Sequence, residues 1–349
     1  MEKKESNVYF GYREVKNEYI IKWENNRSDA YKEYRRKWEE LPKKLIVPDF
    51  PMHLDIESTS NCNLRCPMCP RTVRVNAGTW RPNKNFDFEL FTKIIDEGIK
   101  EGLYAINLNN LGEPLLHPNL PEMIKYAKSR GLLDVFFHTN GVLLTEEISR
   151  KLVKSGLDKL IISIDSPYRE KYDKIRIGAN YDRVMENIKK LNEIKKELNS
   201  FTPITRINMI KFPDVGEKEL DDSIELFLPL VDSIGFLDFV DPFKKIGKDI
   251  EFPKHYISNF ICPQPLTRLT IWEDGRVFPC CIDPYGKFCL GDLNKNSLKE
   301  IWESKKLKTF RKKHFDGKFY EIDICRNCEA ALNSDNYAKK ILTSSSNNG

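Results

Sequence analysis

Three cysteines that lie within eight residues are the feature of this sequence best suited to chemistry. Cys62, Cys66 and Cys69 have the spacing C-x3-C-x2-C, and thiolates this close together can hold an iron–sulfur cluster. A [4Fe–4S] cluster normally takes four protein thiolates, so three leave one iron open to bind and activate a small molecule. A structural zinc site or a ferredoxin-type cluster would need a fourth ligand nearby, and the local sequence supplies none. The spacing therefore favours an open cluster.

A second group of cysteines lies near the end of the chain. Cys262 and Cys280 flank a predicted hairpin with the turn sequence Glu-Asp-Gly at 273–275, and Cys325-x2-Cys328 follows after a predicted helix. Four thiolates from two separated segments can form a closed tetrahedral site, for which zinc and iron–sulfur are both candidates. No cysteine lies between the two groups, which argues against thiols scattered through an apolar core.

From residue 52 to about residue 240, short apolar runs alternate with longer patterns typical of amphipathic helices. The predicted strands are Leu54–Glu57, Ala105–Leu111, Leu133–His138, Lys159–Ile164, Thr205–Ile210 and Ser233–Phe239. The predicted helices between them are Phe88–Lys100, Leu120–Arg130, Glu146–Ser155, Arg183–Leu198 and Glu217–Leu228. Strands separated by helices pair in parallel with right-handed crossovers. The pattern predicts an α/β fold, either a doubly wound open sheet or an incomplete barrel.

Polar loop sequences follow the first four predicted strands. They are the segment that carries Cys62 and the segments 112–114, 139–141 and 165–166. Barrels and open parallel sheets both place their chemistry at the carboxyl ends of the strands, so these loops are expected to converge on one rim. Other polar residues near this rim are interpreted as solvated or packing residues; they are His117, His138, Tyr172, Arg176 and Lys211.

On these residues the chain resembles the radical S-adenosylmethionine (SAM) superfamily. The resemblance rests on the Cys62–Cys69 motif after a first strand and spans roughly residues 52–240. It implies an incomplete (β/α)6 TIM-like barrel and a [4Fe–4S] cluster whose open iron is chelated by the methionine part of SAM. It also implies that one electron cleaves SAM and that the resulting 5′-deoxyadenosyl radical abstracts hydrogen from a substrate.

The resemblance extends to residues that would bind SAM. Asn110-Leu-Gly112-Glu113-Pro114 resembles the family's glycine–glutamate motif, whose backbone and carboxylate receive the methionine ammonium group, although Leu111 stands where a first glycine is common. The implied SAM contacts are Met68, Gly112, Glu113, Pro114, Asn140, Ser163 and Asp165. Glu113 could instead be a helix-start carboxylate, and Asp165 a turn or capping residue.

The second cysteine group resembles the SPASM domain, or its shorter Twitch form, of the same superfamily. The matching pattern is Cys262-x12-Gly275-x4-Cys280, followed by Cys325-x2-Cys328. A full SPASM domain has further cysteines after this point, and here none follows. The count therefore implies one auxiliary [4Fe–4S] cluster, held by the four cysteines of the pattern. This small C-terminal domain is predicted to contain a β-hairpin and the helix Ser297–Phe315.

A layout with one auxiliary cluster resembles the cyclitol dehydrogenases of the superfamily, in which a substrate radical passes an electron to that cluster. Related carbohydrate epimerases instead return a hydrogen atom from a cysteine thiol. Cys281 and Cys289 are therefore candidate hydrogen donors, and Asp283 is a candidate base for an alcohol proton. The alternatives are a spare ligand or a buried structural thiol for each cysteine, and an exposed turn residue for Asp283.

Four regions are expected along the chain. They are a lead-in segment at residues 1–50, the partial barrel at 51–245, the auxiliary cluster domain at 246–342 and a Ser/Asn-rich tail at 343–349 that is predicted to be disordered. The lead-in segment has no strand pattern, and within it Tyr31–Trp38 predicts an amphipathic helix that ends before Pro42.

Composition and charge argue against several classes of protein. The net charge is only +5, from 57 basic and 52 acidic side chains mixed along the chain, which argues against a nucleic-acid binder with a basic stripe. No apolar run reaches the roughly 20 residues of a membrane span. Met1–Glu5 lacks the apolar region of a secretory signal, so a cytoplasmic location is expected. The superfamily resemblance implies a flavodoxin- or ferredoxin-type electron donor.

The leading hypothesis is an oxidoreductase or epimerase that acts at a carbinol carbon of a sugar- or cyclitol-like small molecule. The first alternative is a ribosomal-peptide maturase that crosslinks or epimerises its substrate. Residues 1–50 weigh against it, because they are short for a leader-binding domain. An alternative of another class is a non-enzymatic module with structural zinc at both cysteine sets.

Metal analysis separates the iron and zinc interpretations. We expect anaerobically purified protein to contain iron and sulfide and to show the broad visible absorbance of [4Fe–4S] clusters, bleached by dithionite. Elemental analysis for iron and zinc, together with the absorbance spectrum before and after reduction, makes the measurement. Zinc without iron absorbance would contradict the radical chemistry.

Overall fold

One mixed sheet forms the centre of the protein in the computed structural model, which describes residues 5–6, 13–239, 261–326 and 328. Its strands are β1 (Glu5–Ser6), β2 (Arg13–Lys16), β3 (His53–Ile56), β4 (Ala105–Asn107), β5 (Asp134–Thr139), β6 (Lys159–Ser163), β7 (Ile204–Lys211), β8 (Ser233–Asp238), β9 (Arg268–Ile271), β10 (Arg276–Phe278) and β11 (Gly291–Asp292). They lie in the order β1-β2-β8-β7-β6-β5-β4-β3-β9-β10-β11. The expected domain boundary near residue 245 and the expected tail at 343–349 lie outside the described residues.

Six neighbouring strands, β3 to β8, are parallel. At the two ends of this set, β8 pairs with β2 in antiparallel orientation, and β3 pairs with β9 in parallel orientation. Because the outer strands pair with β2 and β9 rather than with each other, the parallel set curves into an open barrel. This confirms the predicted fold class, an incomplete (β/α)6 barrel.

Helices connect the strands. They are α1 (Glu18–Asn25), α2 (Asp29–Lys43), α3 (Pro70–Asn76), α4 (Phe88–Glu101), α5 (Leu120–Ser129), α6 (Glu146–Ser155), α7 (Arg169–Ile175), α8 (Tyr181–Glu197) and α9 (Glu217–Phe227). Shorter pieces follow at Gln264–Thr267, Leu298–Trp302, Lys305–Phe315 and Asp323–Arg326, with 3-10 turns at Pro114–Leu116 and Phe319–Glu321. Within the described part of the chain, no helix is both long enough and apolar enough to cross a bilayer.

The helix ends follow ordinary capping chemistry. Asp87 and Thr145 accept hydrogen bonds from the first turns of α4 and α6, which satisfies backbone N–H groups that the helix itself leaves unpaired. Gly102 and Gly156 end the same two helices in the left-handed conformation. These signals are adjacent in the chain, and α6 accordingly has the bounds that its sequence predicts.

Alternate residues of each strand face opposite sides of the sheet. On β3, Leu54 and Ile56 pack into the main apolar core together with Ile95 of α4, and each such buried side chain stabilises the fold by about 1.5–3 kcal/mol. His53 and Asp55 face the other side, where their side chains lie 3.2 Å apart. At β3, the convex side of the barrel is therefore apolar and packed against α4, and the concave side is polar.

β4 is shorter than predicted, since it ends at Asn107 rather than at Leu111. The chain leaves the sheet here because its polar groups find partners outside the ladder. The Asn107 side chain donates to the Asn109 carbonyl at 3.2 Å, and Leu111 N–H donates to Glu57 at 3.2 Å. The residues that a longer strand would have contained form the loop that carries Gly112.

The sequence shows no strand pattern before residue 50, and the prediction that this segment contains no strand is wrong. Arg13–Lys16 forms β2 on the open edge of β8, with Lys16 opposite Ser233. The short strand is stabilised by tertiary contacts: Val15 is buried, and the Glu14 carboxylate accepts a 2.8 Å hydrogen bond from Ser233. A four-residue strand with one buried apolar residue has no recognisable alternation of its own.

Two predicted helix bounds also need correction. α2 continues through Pro42 to Lys43, because a proline in the last turn removes one N–H donor and leaves the earlier hydrogen bonds intact. The predicted helix Ser297–Phe315 is two helices, since Ser304 interrupts it and caps the second by accepting a 3.2 Å hydrogen bond from Leu307 N–H. The predicted cap at Ser297 is present as a full capping box with Glu300.

Arg81 joins three separate segments through buried ion pairs. Its Nε lies 2.9 Å from both carboxylate oxygens of Glu273, and a terminal nitrogen donates to Glu57 at the end of β3. Its Cζ lies 4.0 Å from the ring centroid of Trp272. Burial raises the pKa of Glu57, with the Arg81 charge opposing this shift and the Glu273 charge adding to it. One guanidinium thus connects β3 with the hairpin that begins at β9.

Arg81→Met is expected to lower the free energy of unfolding by about 3–5 kcal/mol, because two buried carboxylates would lose their shared cation. Denaturant unfolding of the anaerobic protein, followed by circular dichroism, measures the loss. Arg36→Met on α2 is the control, since this exposed arginine pairs with Glu33 and Glu40 at the surface and should matter little. An Arg81 variant as stable as the control would contradict the role of the buried pairs.

Candidate active site

The three cysteines of the first motif lie on the loop that leaves the carboxyl end of β3. The loop turns at a 3.0 Å hydrogen bond from Cys69 N–H to the Cys66 carbonyl, and Pro70 then begins α3. Leu64 N–H points at the sulfur of Cys62, at 3.5 Å. Cys66 is buried, and the other two thiols are partly buried. The motif therefore forms a compact turn whose thiols lie in one protected place.

Burial makes these thiols better suited to metal ligation than to free nucleophilic chemistry. Burial raises the pKa of Cys62 to about 11, although the hydrogen bond from Leu64 N–H lowers it in part. Burial also raises the pKa of Cys66, although the charge of Arg176 has the opposite effect. A thiol with a raised pKa is a poor nucleophile at neutral pH, whereas iron would stabilise the thiolate form. The donor set fits a cluster with one open iron.

The loop after β4 is pressed against the backbone that leads into the cysteine motif. Glu113 N–H donates a 2.7 Å hydrogen bond to the Asn61 carbonyl. A Cβ atom on Gly112 would lie 1.8 Å from the carbonyl oxygen of Thr59, which no side chain can do without moving one of the two backbones. This contact explains why residue 112 is glycine and places Glu113 beside the cysteine loop.

The Glu113 carboxylate is buried and held by three donors. The Thr139 hydroxyl donates at 2.7 Å, Asn140 N–H at 2.8 Å and Leu115 N–H at 3.2 Å. Burial raises the pKa of Glu113, and these donors oppose the shift. The bond from Leu115 caps the 3-10 turn, so the helix-start interpretation accounts for one of the three bonds. An oriented carboxylate beside the cysteines can receive an ammonium group, and its contact with SAM stays a prediction.

The loops after β5 and β6 also contact the cysteine motif. The Asn140 side chain donates to the Asn63 side chain at 2.8 Å. After β6, Asp165 is close enough to Cys66 to raise the pKa of its thiol, in addition to the larger effect of burial. The turn after α7 also contacts the motif, since Arg65 N–H donates to the Ile177 carbonyl at 2.9 Å. With the Glu113 contact, the structure brings all four predicted loops together at one rim, as expected from parallel pairing.

Arg176 lies beside this motif, although the sequence suggested a solvated or packing residue. Its Nε donates to Asp165 at 2.6 Å, and only 13% of its side chain is exposed. The other oxygen of Asp165 accepts Ile210 N–H at 3.1 Å. The guanidinium is close enough to Cys66 to lower its pKa, against the larger effect of burial. In the sequence, the pairing of Asp165 with Arg176 was signalled only by their opposite charges, because the periodicity of apolar residues does not reveal which loops come together.

The remaining predicted SAM contacts occupy ordinary positions at the rim. Met68 is partly buried against the main core, Pro114 begins the 3-10 turn, and Ser163 ends β6 opposite Asn208. Their contacts with SAM stay predictions.

The second cysteine group comes together from three segments. Cys262 precedes a short helix, Cys280 follows β10, and Cys325 and Cys328 lie in and after the helix Asp323–Arg326. The Phe319 ring packs against Cys262, Cys325 and Cys328. Besides a hydrogen bond with Cys281 and burial, the charges of Cys262 and Cys328 raise the pKa of Cys280. The four predicted ligands therefore share one site.

This site also favours metal ligation. Burial and the neighbouring Cys328 raise the pKa of Cys262 to about 12, and burial raises the pKa of Cys325, so metal would be needed to hold thiolates here. Within residues 13–239, 261–326 and 328, no three His, Cys, Asp or Glu side chains are spaced to bind a single metal ion. A [4Fe–4S] cluster has a different requirement, because each thiolate ligates a different iron.

The three candidate catalytic residues lie in different environments. Cys281 forms a hydrogen bond with Cys280 and is within electrostatic reach of Arg268 and Asp55, two residues of the concave barrel face. Cys289 donates to the Gly291 carbonyl at 3.3 Å, within the hairpin region. Asp283 accepts two backbone hydrogen bonds, at 3.0 and 2.9 Å, as a turn residue would, but it is buried rather than exposed. The roles of the two cysteines stay predictions.

Gly112→Ala is expected to weaken SAM binding at least about tenfold, because the added Cβ would push the Glu113 loop away from the cysteine loop. Calorimetric titration of the reconstituted protein with SAM measures the affinity, with iron content measured in parallel. Gly216→Ala is the control, since a Cβ there would meet no atom within 4 Å. Equal SAM affinities in the two variants would contradict the importance of the backbone contact.

Known proteins match both cysteine regions. The family model of the radical SAM superfamily matches residues 56–227, and that of the SPASM iron–sulfur cluster-binding domain matches residues 262–329. The chain is 27% identical over 321 residues to the tungsten-containing aldehyde ferredoxin oxidoreductase cofactor-modifying protein of Pyrococcus furiosus, covering 79% of this chain and 86% of that protein. It is 33% identical over 258 residues to a probable GTP 3′,8-cyclase of Methanococcus maripaludis strain C7, covering 64% of this chain and 83% of that protein.

The fold is shared with solved structures. BtrN, in complex with AdoMet and 2-DOIA, superimposes with a TM-score of 0.54 at 19% sequence identity, over 80% of this chain and 94% of BtrN. The two family matches thus cover the predicted cysteine motif and the auxiliary cysteine group, and the shared fold agrees with the open barrel. The chain belongs to the radical SAM superfamily, with a C-terminal SPASM region, and its cofactors are SAM, a SAM-binding [4Fe–4S] cluster and an auxiliary iron–sulfur cluster.

Proposed function

We propose that this chain removes a hydrogen atom from a carbinol carbon of a hydroxyl-rich small molecule, such as a sugar, a cyclitol or a nucleotide sugar, and thereby dehydrogenates or epimerises it. The observation that carries the proposal is a layer of buried polar side chains on the concave face of the barrel. The proposal includes a flavodoxin- or ferredoxin-type protein as the electron donor.

The register of the strands places these polar side chains on one face. Asp55 on β3 lies opposite Asn107 on β4 and Thr270 on β9. Ser163 on β6 lies opposite Asn208 on β7. Asn107 donates a 2.9 Å hydrogen bond to Asp55 across the first pair. The layer lies at the ends of the strands that carry the rim loops.

Several polar atoms of this layer lack partners. Asn107 Oδ1, Asn208 Oδ1 and Thr270 Oγ1 are buried and have no hydrogen-bond partner among the described residues. Leaving a buried polar atom unpaired costs about 1–3 kcal/mol. A ligand with several hydroxyl groups would donate to the two amide oxygens, or replace waters that do so. An apolar ligand would leave these atoms unpaired, so the layer favours a hydroxyl-rich substrate.

The charged groups of the layer are neutralised within it. Asp55 lies 3.2 Å from His53 and 3.4 Å from Arg268. His138 is partly exposed, and desolvation of its ring together with the Arg206 charge lowers its pKa to about 3, so the ring is neutral. This part of the barrel therefore offers hydrogen bonds more than net charge, which suits the neutral hydroxyl groups at a reacting carbinol.

A cavity of about 740 Å³ lies at the end of the barrel opposite the rim loops, between α2 and the amino-terminal ends of the strands. Its lining includes His53, Lys159 and Arg268, which begin β3, β6 and β9. Parallel barrels place their chemistry at the carboxyl ends of the strands, so the proposed substrate site is the polar layer near the rim loops and not this cavity.

The auxiliary cysteine site lies close to the polar layer on the concave face of the barrel. When bound, SAM and its cluster supply the 5′-deoxyadenosyl radical that takes the hydrogen atom. Oxidation of a carbinol then also releases a proton and one electron. Arg268 pairs with Asp55 and is within electrostatic reach of Cys262 and Cys280. The protein therefore holds its second set of thiols next to the place where an electron acceptor is needed.

Epimerisation is the second candidate, and the position of Cys281 favours it. A hydrogen donor must reach the substrate radical from the barrel wall. Cys281 forms a hydrogen bond with Cys280 and is within electrostatic reach of Arg268 and Asp55, whereas the Cys289 thiol donates to the Gly291 carbonyl in the hairpin region. Of the two candidate thiols, Cys281 is the one near the barrel interior.

A relative supports the substrate class. The Methanococcus protein is named as a probable GTP 3′,8-cyclase, and the 3′ position of GTP is a carbinol carbon of the ribose. The relative shares 33% of aligned residues with this chain. A reaction at a carbinol carbon of a sugar-like group is thus represented among its relatives.

Incubation with SAM, a reductant and a panel of sugars, cyclitols and nucleotide sugars under anaerobic conditions is expected to yield 5′-deoxyadenosine. A substrate deuterated at the reacting carbinol carbon should transfer its label to 5′-deoxyadenosine, and mass spectrometry detects it. In deuterated water, an epimerase would incorporate solvent deuterium, and Cys281→Ala would abolish turnover while Cys289→Ala would not. An oxidation would instead lower the substrate mass by two hydrogens.

Two results would contradict this function. The first is 5′-deoxyadenosine formation that no substrate of the panel increases. The second is label transfer only from carbon atoms without a hydroxyl group. Either result with intact clusters would remove the carbinol proposal and leave the superfamily membership standing.

A further inference from the structure

A buried histidine, His314, lies against the auxiliary cysteine group and has no part in the function proposed above. It belongs to the last turn of the helix Lys305–Phe315, and its side chain is 1% exposed. Its ring centroid lies 5.2 Å from that of Phe310 and 6.0 Å from that of Phe319. The two phenylalanine rings fix the plane of the imidazole.

One nitrogen of this imidazole faces a sulfur atom. Nε2 of His314 lies 3.7 Å from Sγ of Cys325. Nδ1 is buried and has no hydrogen-bond partner among the described residues. Burial favours the neutral ring, which carries a single proton. Since Nδ1 has no partner among the described residues and Nε2 faces the sulfur, the tautomer with the proton on Nε2 is the one that makes a hydrogen bond, as donor to sulfur.

The surroundings of this contact strengthen it. The Phe319 ring packs against Cys262, Cys325 and Cys328 as well as His314, which covers part of the surface of these residues and lowers the local polarity. A hydrogen bond to a charged acceptor is stronger in such a medium than in water. Reduction adds negative charge to a cluster, so a donor at a ligating sulfur stabilises the reduced form more than the oxidised form.

We propose that His314 donates a hydrogen bond from Nε2 to the Cys325 thiolate and thereby raises the reduction potential of the auxiliary cluster. His314 is then a positioning residue that acts through a ligand, in the way that outer hydrogen bonds tune other metal sites. The inference requires the auxiliary cluster and its ligation by Cys325. It holds whether the substrate is oxidised, epimerised or of another class.

Potentiometric titration followed by EPR, on reconstituted protein without substrate, tests the inference. His314→Phe keeps a flat ring between Phe310 and Phe319 but removes the N–H donor. Its auxiliary cluster is expected to be harder to reduce, with a one-electron reduction equilibrium changed about tenfold, or about 59 mV. His314→Gln places an amide N–H near the same sulfur and should restore most of the potential.

Two controls separate tuning from packing. The SAM-binding cluster in the same samples is an internal reference, and its potential should not move. Phe310→Leu disturbs the same aromatic contact but keeps the donor, so its auxiliary potential should stay near that of the unmodified protein. An unchanged potential in His314→Phe, or equal shifts in the two variants, would overturn the proposal.

A further measurement covers the case in which His314→Phe loses its cluster. Protein labelled with ¹⁵N-histidine should show a weak ¹⁵N coupling to the reduced auxiliary cluster in pulsed EPR, as expected for a hydrogen-bonded ring. No coupling, or the strong coupling of a directly ligated nitrogen, would overturn the proposal. Because these experiments do not measure turnover, their failure is independent of a failure of the carbinol chemistry.

Discussion

The guanidinium of Arg81 is the contact on which the relative position of the two cysteine sets depends. It pairs with Glu57 at the end of β3 and with Glu273 in the hairpin of the C-terminal region. Glu57 also accepts the N–H of Leu111, in the loop that leads to Glu113. Because one cation satisfies two buried carboxylates, the interior tolerates them only when all three segments are in place. The ion pairs therefore couple the rim of the barrel to the auxiliary region.

The two faces of the barrel serve different purposes. The convex face is apolar and stabilises the fold through residues such as Leu54 and Ile56. The concave face carries Asp55, Asn107 and Asn208, and the Oδ1 atoms of the two asparagines have no hydrogen-bond partner among the described residues. Buried polar atoms without partners reduce stability, and under the proposed function the hydroxyl groups of the substrate would supply the missing partners. The buried thiols of both cysteine sets also cost stability when they ionise without metal, because burial raises their pKa values.

The parts of the structure that could be predicted from the sequence are those set by local signals or by simple topology. Cys62–Cys69 lies within a single loop, and α6 has its predicted bounds because both of its caps are neighbours in the chain. The convergence of the four rim loops followed from parallel pairing, since the carboxyl ends of such strands meet at one edge. Gly112 was identified by resemblance, but its physical reason, the approach to the Thr59 carbonyl, needed the structure.

The remaining features depend on contacts between distant segments. Arg13–Lys16 is a strand because β8 has an open edge, and Arg176 is part of the site because Asp165 holds it there. Of the two unassigned thiols, Cys281 lies near the barrel interior and Cys289 does not. The sequence by itself determined which residues can bind the clusters and how strands and helices alternate. Only the tertiary structure decided which residues share a site, because burial, shared cations and close backbone approach arise from packing across the whole chain.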